Sequence, residues 1–167
     1  MDAAPILRCR GLGKRFAGVH ALRSVDIDIY SGEVVAVVGA NGAGKSTLMK
    51  ILAGVLTPDS GEVFLSAQSV RFAGVRDAVR AGIALVHQEL NLADNLDIAG
   101  NIALGREPNR FGFLDRKAMH TQAREWIERV GLDLSPASDV STLSIGRRQM
   151  VEIAKALSLR AKVLILD

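Results

Sequence analysis

The chain has 167 residues, 49% of them hydrophobic and 23% charged, which is enough for a globular unit with a real core and excludes an intrinsically disordered chain. The net charge of +3 is small and spread along the chain, so it does not by itself indicate a nucleic-acid or membrane partner. Cys9 is the single cysteine, no run approaches 18 consecutive apolar residues, and the first residues lack a signal-peptide pattern. We therefore expect no internal disulfide, no secretion, no membrane span and a reducing cytoplasm.

The first 30 residues predict an antiparallel pair of strands. Residues 6–11 and 25–30 alternate apolar and polar side chains, and Cys9 is interpreted as a small buried strand residue. Phe16 lies between the two strands. Its residue type alone leaves two interpretations open, a packing residue or a ring that stacks on a nucleobase.

A phosphate-binding loop is the most specific pattern in the sequence. Residues 34–38 predict a buried parallel strand, and Gly39, Gly44, Lys45 and Ser46 fit the pattern G-x-x-x-x-G-K-[ST], ahead of a helix predicted over residues 45–53. The glycines let the backbone fold around an anion, so that N–H groups at the helix N-terminus point at it. The lysine then contacts the β- and γ-phosphates of a nucleotide, and the serine hydroxyl is placed to ligate Mg²⁺.

An α/β pattern continues after the loop helix. Gly54 stops that helix, and residues 57–61 form a strong turn before a strand over residues 62–65. A short amphipathic helix over residues 75–80 then precedes a second apolar strand over residues 83–87.

The stretch from Gln88 to about Arg160 contains no strand-like run and predicts a helical subdomain. Asp115 is a candidate N-cap, and Gly131 ends the helix that follows it. One face of this helix is apolar and is interpreted as core: Met119, Ala123, Trp126, Ile127 and Val130.

A second helix N-terminus is predicted at Ser144. The serine lies beside Gly146 and ahead of Arg147 and Arg148, an arrangement that suits an external phosphate better than the helix dipole itself. The apolar face predicted for this helix consists of Met150, Ile153, Ala154 and Leu157. The last residues predict an apolar buried strand that ends in Asp167, where the acidic partner of Mg²⁺ lies in phosphate-loop proteins.

The order of these motifs resembles the ATP-binding subunits of ABC transporters over essentially the whole chain. Gln88 matches the Q-loop, residues 143–147 (LSIGR) match the Leu-Ser-Gly-Gly-Gln signature, and residues 163–167 match the Walker B strand. Phe16 falls where the family's adenine-stacking aromatic lies. Residues 105–108 and 145–157 look most like bacterial monosaccharide importers, whose ATPase chain carries two such domains in tandem, and this would be the first.

The resemblance implies an α/β fold of the P-loop NTPase class, with N-terminal antiparallel strands and an inserted helical subdomain. It divides the chain into an ATP-binding core at residues 1–87 and 161–167 and a helical signature subdomain at residues 88–160. It also implies further core strands after Walker B, so that the sheet is expected to be incomplete at Asp167 and the sequence to be part of a longer chain.

The resemblance also assigns roles to individual residues. Gln88 would sense the γ-phosphate and couple it to the helical subdomain, and Mg²⁺ would be held by Ser46, Gln88 and Asp167. The signature residues would cap the γ-phosphate of an opposing site in trans: Ser144, Ile145, Gly146 and Arg147. The residues implied to bind ATP are Phe16, Gly39, Asn41, Gly42, Ala43, Gly44, Lys45, Ser46 and Thr47.

The signature departs from the family pattern, because Ile145 replaces a glycine and Arg147 replaces the glutamine. The catalytic glutamate is expected directly after Asp167, so this stretch alone is expected to bind ATP with little hydrolysis.

The implied function is an ATPase that energises monosaccharide import, peripheral at the cytoplasmic face of the inner membrane. Its implied partners are a second ATP-binding domain, a transmembrane permease and, indirectly, a periplasmic sugar-binding protein. No nucleic-acid partner is expected. A soluble ABC-type ATPase acting on ribosomes or DNA, and an ATP-binding module without turnover, remain open as alternatives. The resemblance also implies that the permease and the binding protein, rather than the ATPase, select the sugar.

Overall fold

The computed structural model describes residues 4–86 and 91–167, so the prediction for Gln88 lies outside the described residues. The chain divides into two compact units, one containing the residues up to Leu85 together with Asp167 and the other containing Val86–Leu166. Spatial grouping alone does not define a domain, so the boundaries expected from the sequence stay predictions.

The first unit contains a four-stranded antiparallel sheet in the order β2-β1-β3-β4. Its strands are β1 (Leu7–Phe16), β2 (Val19–Ile29), β3 (Ser60–Leu65) and β4 (Gln68–Val70). The predicted antiparallel pair is therefore confirmed, and both strands are longer than expected, with Leu7 opposite Ile29. Cys9 is fully buried in β1, and this burial raises the pKa of its thiol to about 12.

Two helices and a short strand accompany this sheet along the chain: α1 (Lys45–Leu52), α2 (Val75–Ala81) and β5 (Ile83–Val86). The predicted helices at residues 45–53 and 75–80 are thus confirmed. Helix α1 buries Leu48, Ile51 and Leu52 on one face. That face follows from the three- and four-residue spacing of its apolar side chains.

The prediction of a buried parallel strand over residues 34–38 is wrong. The segment has no regular secondary structure, and Val34 and Val38 are 97% and 90% exposed. Valine favours extended backbone, but a strand also needs neighbours that satisfy its N–H and C=O groups, and no strand of the described residues pairs with this segment. Residues 34–38 therefore form an exposed apolar segment that leads into the phosphate loop.

The second unit is mainly helical, with α3 (Ile98–Ala103), α4 (Arg116–Arg129) and α5 (Ile145–Ser158). Asp115 caps α4 as predicted, since its side chain accepts a hydrogen bond from the Ala118 N–H at 2.9 Å. The predicted α4 face is confirmed as core, with Val130 partly buried at its margin. None of the helices in the described part of the chain is long and apolar enough to cross a bilayer.

The expectation that this stretch holds no strands is wrong, because β6 (Asn109–Arg110) and β7 (Phe113–Leu114) form a small antiparallel hairpin. Phe111 and Gly112 both take positive φ in its two-residue turn. Strands this short leave too little apolar-polar alternation for a sequence pattern to register.

Two predicted burial patterns also need correction. In α5 the predicted Ala154 is fully buried and Leu157 packs against the core. Val151 and Glu152 are buried as well, whereas Met150 and Ile153 are only half-buried. The last strand, β8 (Val163–Leu166), buries Val163 and Ile165 but exposes the side chains between and after them. An all-apolar run hides this alternation, which depends on what covers each face of the strand.

Candidate nucleotide-binding site

The loop over residues 39–46 is formed by two glycines in left-handed conformation. Gly42 has φ +81° and Gly44 has φ +88°, the latter at the N-cap of α1. A Cβ on Gly44 would collide with the Ala21 carbonyl and the Leu22 side chain of β2. Glycine is therefore required at this position by both the backbone conformation and the close approach to β2.

The Lys45 side chain folds back over this loop. Its Nζ donates hydrogen bonds to the Gly39 carbonyl at 2.8 Å and to the Ala40 carbonyl at 2.9 Å. These two bonds tie the start of α1 to the start of the loop and hold an ammonium charge beside the helix N-terminus. Both the charge and the α1 dipole favour an anion here.

Ser46 and Asp167 come together in the first unit. Ser46 Oγ donates a hydrogen bond to Asp167 Oδ1 at 3.0 Å, in a partly buried environment. A hydroxyl and a carboxylate are hard oxygen ligands of the kind that Mg²⁺ prefers, so this donor set fits the metal implied by the sequence.

Asn41, Ala43 and Thr47 occupy the remaining predicted positions of the loop. Asn41 and Ala43 are exposed, and Thr47 is half-buried in the first turn of α1. The Ala43 N–H donates to the Ala40 carbonyl at 3.1 Å, which closes a turn inside the loop.

Phe16 lies at the end of β1, opposite Val19 of β2, and is 43% exposed. Lys14 Nζ lies 5.6 Å from the centre of the Phe16 ring. Val19 is two residues from Ala21, about 7 Å along the strand, and Ala21 is the residue that Gly44 approaches. Phe16 of β1 and the β2 residue that Gly44 approaches therefore lie near each other at the same end of the β1–β2 pair.

Basic side chains on the same sheet were not singled out from the sequence. An open cavity of about 710 Å³ is lined by Lys14, Arg15, His20 and Arg23, among others. Lys14 donates to Asp59 Oδ1 at 2.7 Å, and this contact, followed by the Arg15 N–H, holds the pKa of Asp59 below its usual value. The signal that could have revealed them is the Lys14-Arg15 pair directly before Phe16.

The signature residues lie in the second unit at the start of α5. Ser144 takes the N-cap position as expected, but its side chain makes no capping hydrogen bond. Ile145, Gly146 and Arg147 are exposed, with Ile145 at 71%. A helix N-terminus with an uncapped serine and an exposed glycine retains free N–H groups for an external acceptor.

A glycine-rich loop ahead of a helix, a lysine over the loop and a Ser/Asp oxygen pair define a phosphate-loop nucleotide-binding domain. The family model described as "ABC transporter" matches residues 22–167. The chain therefore belongs to the ABC transporter family, and its predicted fold class, a P-loop NTPase with N-terminal antiparallel strands, is confirmed.

Among curated relatives, the chain is 52% identical over 163 residues to a ribose import ATP-binding protein (RbsA 1) of Rubrobacter xylanophilus. It is 52% identical over 165 residues to a putative ribose/galactose/methyl galactoside import ATP-binding protein of Burkholderia ambifaria. These matches cover 98% and 99% of this chain but 33% and 32% of the relatives. The chain thus spans about a third of the length of the curated relatives it matches.

Solved structures agree with the fold. The cbiO1 subunit of the cbiONQ ABC transporter complex from Clostridium perfringens superposes with a TM-score of 0.81 at 28% identity, covering 98% of this chain and 65% of that one. A nucleotide-free ATP-binding cassette from an ABC transporter also gives 0.81, at 25% identity, covering 98% of this chain and 68% of that one.

Proposed function

We propose that this chain forms the first ATP-binding domain of an ATPase that energises monosaccharide import. The observation that carries the proposal is the Ser46–Asp167 contact, which brings the two expected Mg²⁺ ligands together beside the phosphate loop. The names of the relatives, which are ribose and ribose/galactose import ATP-binding proteins, support the sugar class.

In this proposal the loop residues hold the triphosphate. Backbone N–H groups from Gly42 to Ser46 surround the phosphates, and Lys45 exchanges its two loop carbonyls for phosphate oxygens. Phe16 stacks on the adenine. Ser46 and Asp167 would hold Mg²⁺, which would neutralise part of the phosphate charge; Gln88, the third ligand implied by the resemblance, lies outside the described residues.

A second ATP-binding domain completes the site. Ser144 and Gly146 of one domain cap the γ-phosphate held by the other, so hydrolysis is coupled to closing and reopening of the pair. The protein works at the cytoplasmic face of the inner membrane with a transmembrane permease, and a periplasmic sugar-binding protein delivers the sugar.

The first test is nucleotide retention by Lys45→Ala. We expect this variant to lose equilibrium binding of a fluorescent ATP analogue, because the loop loses its only lysine. Lys50→Ala is the matched control, since Lys50 is exposed in the last turn of the same helix. Unchanged binding of the ATP analogue by Lys45→Ala would contradict the assignment of residues 39–46 as the nucleotide-binding loop.

The second test addresses transport. The complete gene product, assembled with its permease in vesicles and supplied with the sugar-binding protein, is expected to accumulate a labelled pentose or hexose only when ATP and Mg²⁺ are inside the compartment that faces the ATPase. Uptake that does not depend on ATP would contradict the proposal. Copurification with nucleic acid would instead favour the soluble alternative.

A further inference from the structure

Arg148 lies in the first turn of α5, and its guanidinium makes three directed contacts. Nη2 donates to the Ser141 carbonyl at 2.8 Å, and Nε donates to the Leu143 carbonyl at 3.2 Å. Nη1 pairs with Asp94 Oδ1 at 3.0 Å. A planar guanidinium presents its donors from three nitrogens in a fixed fork, whereas an ammonium presents all of its donors from one nitrogen.

The segment that Arg148 holds is also fixed from its other end. Asp139 caps the short 3₁₀ turn Val140–Thr142 by accepting from the Ser141 N–H at 2.9 Å and from the Ser141 hydroxyl at 2.7 Å. The Thr142 hydroxyl donates to the Asp139 carbonyl at 2.8 Å. The backbone immediately before Ser144 is therefore restrained by side chains on both sides.

The Ser144 side chain takes no part in these contacts. It is exposed, and its hydroxyl makes no hydrogen bond within residues 4–86 and 91–167. A serine at an N-cap ordinarily accepts from the first helical turn. Here the hydroxyl stays available while the backbone that carries it is held.

The ion pair does not account for an arginine at this position. The Asp94 side chain is 67% exposed, so solvent screens its attraction to Arg148. A cation in the first turn of a helix also opposes the helix dipole. The two hydrogen bonds to the Ser141 and Leu143 carbonyls are therefore the contacts that explain an arginine at position 148.

We propose that Arg148 is a positioning residue for the signature motif. By holding the carbonyls of Ser141 and Leu143, it directs the Ser144 hydroxyl and the N-terminal N–H groups of α5 toward the γ-phosphate bound by the opposing domain. This inference rests on the proposed function of the chain.

The test measures steady-state ATP hydrolysis by the complete gene product assembled with its permease. Arg148→Gln is expected to lower kcat about tenfold, while nucleotide affinity at the phosphate loop stays within about twofold. Its melting temperature is expected to stay within about 2 °C of the unmodified protein. Arg148→Lys is expected not to restore kcat, since two different guanidinium nitrogens hold the Ser141 and Leu143 carbonyls, and an ammonium has its donors on one nitrogen.

Two matched controls separate the contacts. Asp94→Asn removes only the ion pair and is expected to keep kcat within about twofold. Arg124→Gln removes an exposed arginine from α4 of the same unit and is expected to change nothing.

The inference is overturned if Arg148→Gln keeps the kcat of the unmodified protein or if Arg148→Lys has that same kcat. It is equally overturned if Asp94→Asn lowers kcat as much as Arg148→Gln does. It is also overturned if Arg148→Gln loses kcat and its melting temperature falls by more than about 2 °C, because the lost activity would then follow from a destabilised fold. An absence of ATP hydrolysis in the unmodified complete protein would overturn the proposed function and this inference with it.

Discussion

Ser46 Oγ lies 3.0 Å from Asp167 Oδ1, although 121 positions of the chain separate the two residues. The first is the last residue of the phosphate-loop pattern and the second follows β8. Their meeting gives the candidate site a pair of hard oxygen donors that neither stretch of sequence contains alone.

Removing the Ser46 hydroxyl or the Asp167 negative charge is expected to abolish the Mg²⁺-dependent part of nucleotide binding. In Ser46→Ala and Asp167→Asn, the gain in affinity for an ATP analogue on adding Mg²⁺ should fall at least about tenfold, equivalent to about 1.4 kcal/mol. The measurement is a titration with Mg²⁺ and one with EDTA. Ser31→Ala, an exposed serine in the turn after β2, is the control. A full Mg²⁺ effect in both variants would exclude this pair as ligands.

Gly44→Ala is expected to destabilise the first unit by about 3 kcal/mol or more. The residue has φ +88°, and a Cβ would strike the Ala21 carbonyl. Thermal or urea unfolding measures the loss. Gly42→Ala is the informative comparison, because Gly42 has a similar φ of +81° but no atom within 4 Å of an added Cβ. Equal losses in the two variants would mean that backbone strain, not contact with β2, is responsible.

Asn101→Ala is expected to cost about 2–4 kcal/mol of unfolding free energy. Asn101 is fully buried, and its Oδ1 accepts from the Ala93 N–H at 2.7 Å. Its Nδ2 donates to the carbonyls of Ala93, Leu96 and Asp97. Truncation would leave these backbone groups without their partner.

Asn109→Ala, on the exposed β6 strand, is the control for Asn101 and should stay within about 0.5 kcal/mol of the unmodified protein. Denaturant unfolding measures both variants. A change of less than about 1 kcal/mol in Asn101→Ala would contradict the prediction.

Asp28→Asn is expected to lower thermal stability at neutral pH but not in acid. Arg10 Nη2 lies 2.7 Å from Asp28 Oδ2, and Arg8 Nε lies 3.0 Å from Oδ1. The hydrogen bond from Arg10, followed by the one from Arg8, holds the pKa of Asp28 below its ordinary value of 3.8. The unfolded chain therefore binds the proton more readily, and the stabilisation disappears as the pH falls below 3.8 toward the lowered folded pKa.

Melting curves between neutral pH and about pH 2 check this prediction. The difference between the unmodified protein and Asp28→Asn should be full above about pH 5 and should close in acid. Asp133→Asn is the control, since Asp133 is exposed and makes no ion pair within the described part of the chain. A difference between the unmodified protein and Asp28→Asn that is the same at every pH would contradict the prediction.

Patterns within a few residues of one another were predictable from the sequence. The phosphate-loop motif, α1, the Asp115 cap and the buried face of α4 were all expected, because each depends on local spacing or on one side chain and its nearest backbone N–H. The antiparallel pair β1–β2 was expected for the same reason, since alternation is a local property.

Features that depend on distant partners were decided only by the tertiary structure. The apolar segment over residues 34–38 has the composition of a strand, yet it stays exposed because no described strand supplies its hydrogen bonds. The reach of Arg148 to two carbonyls and the burial of Asn101 among backbone groups leave no trace in residue spacing. The sequence by itself determined which residues could bind phosphate. The family resemblance implied that Ser46 and Asp167 share a Mg²⁺ ion, but only the folded chain decided that their side chains are in direct hydrogen-bond contact, because this contact requires the backbone to return across 121 positions.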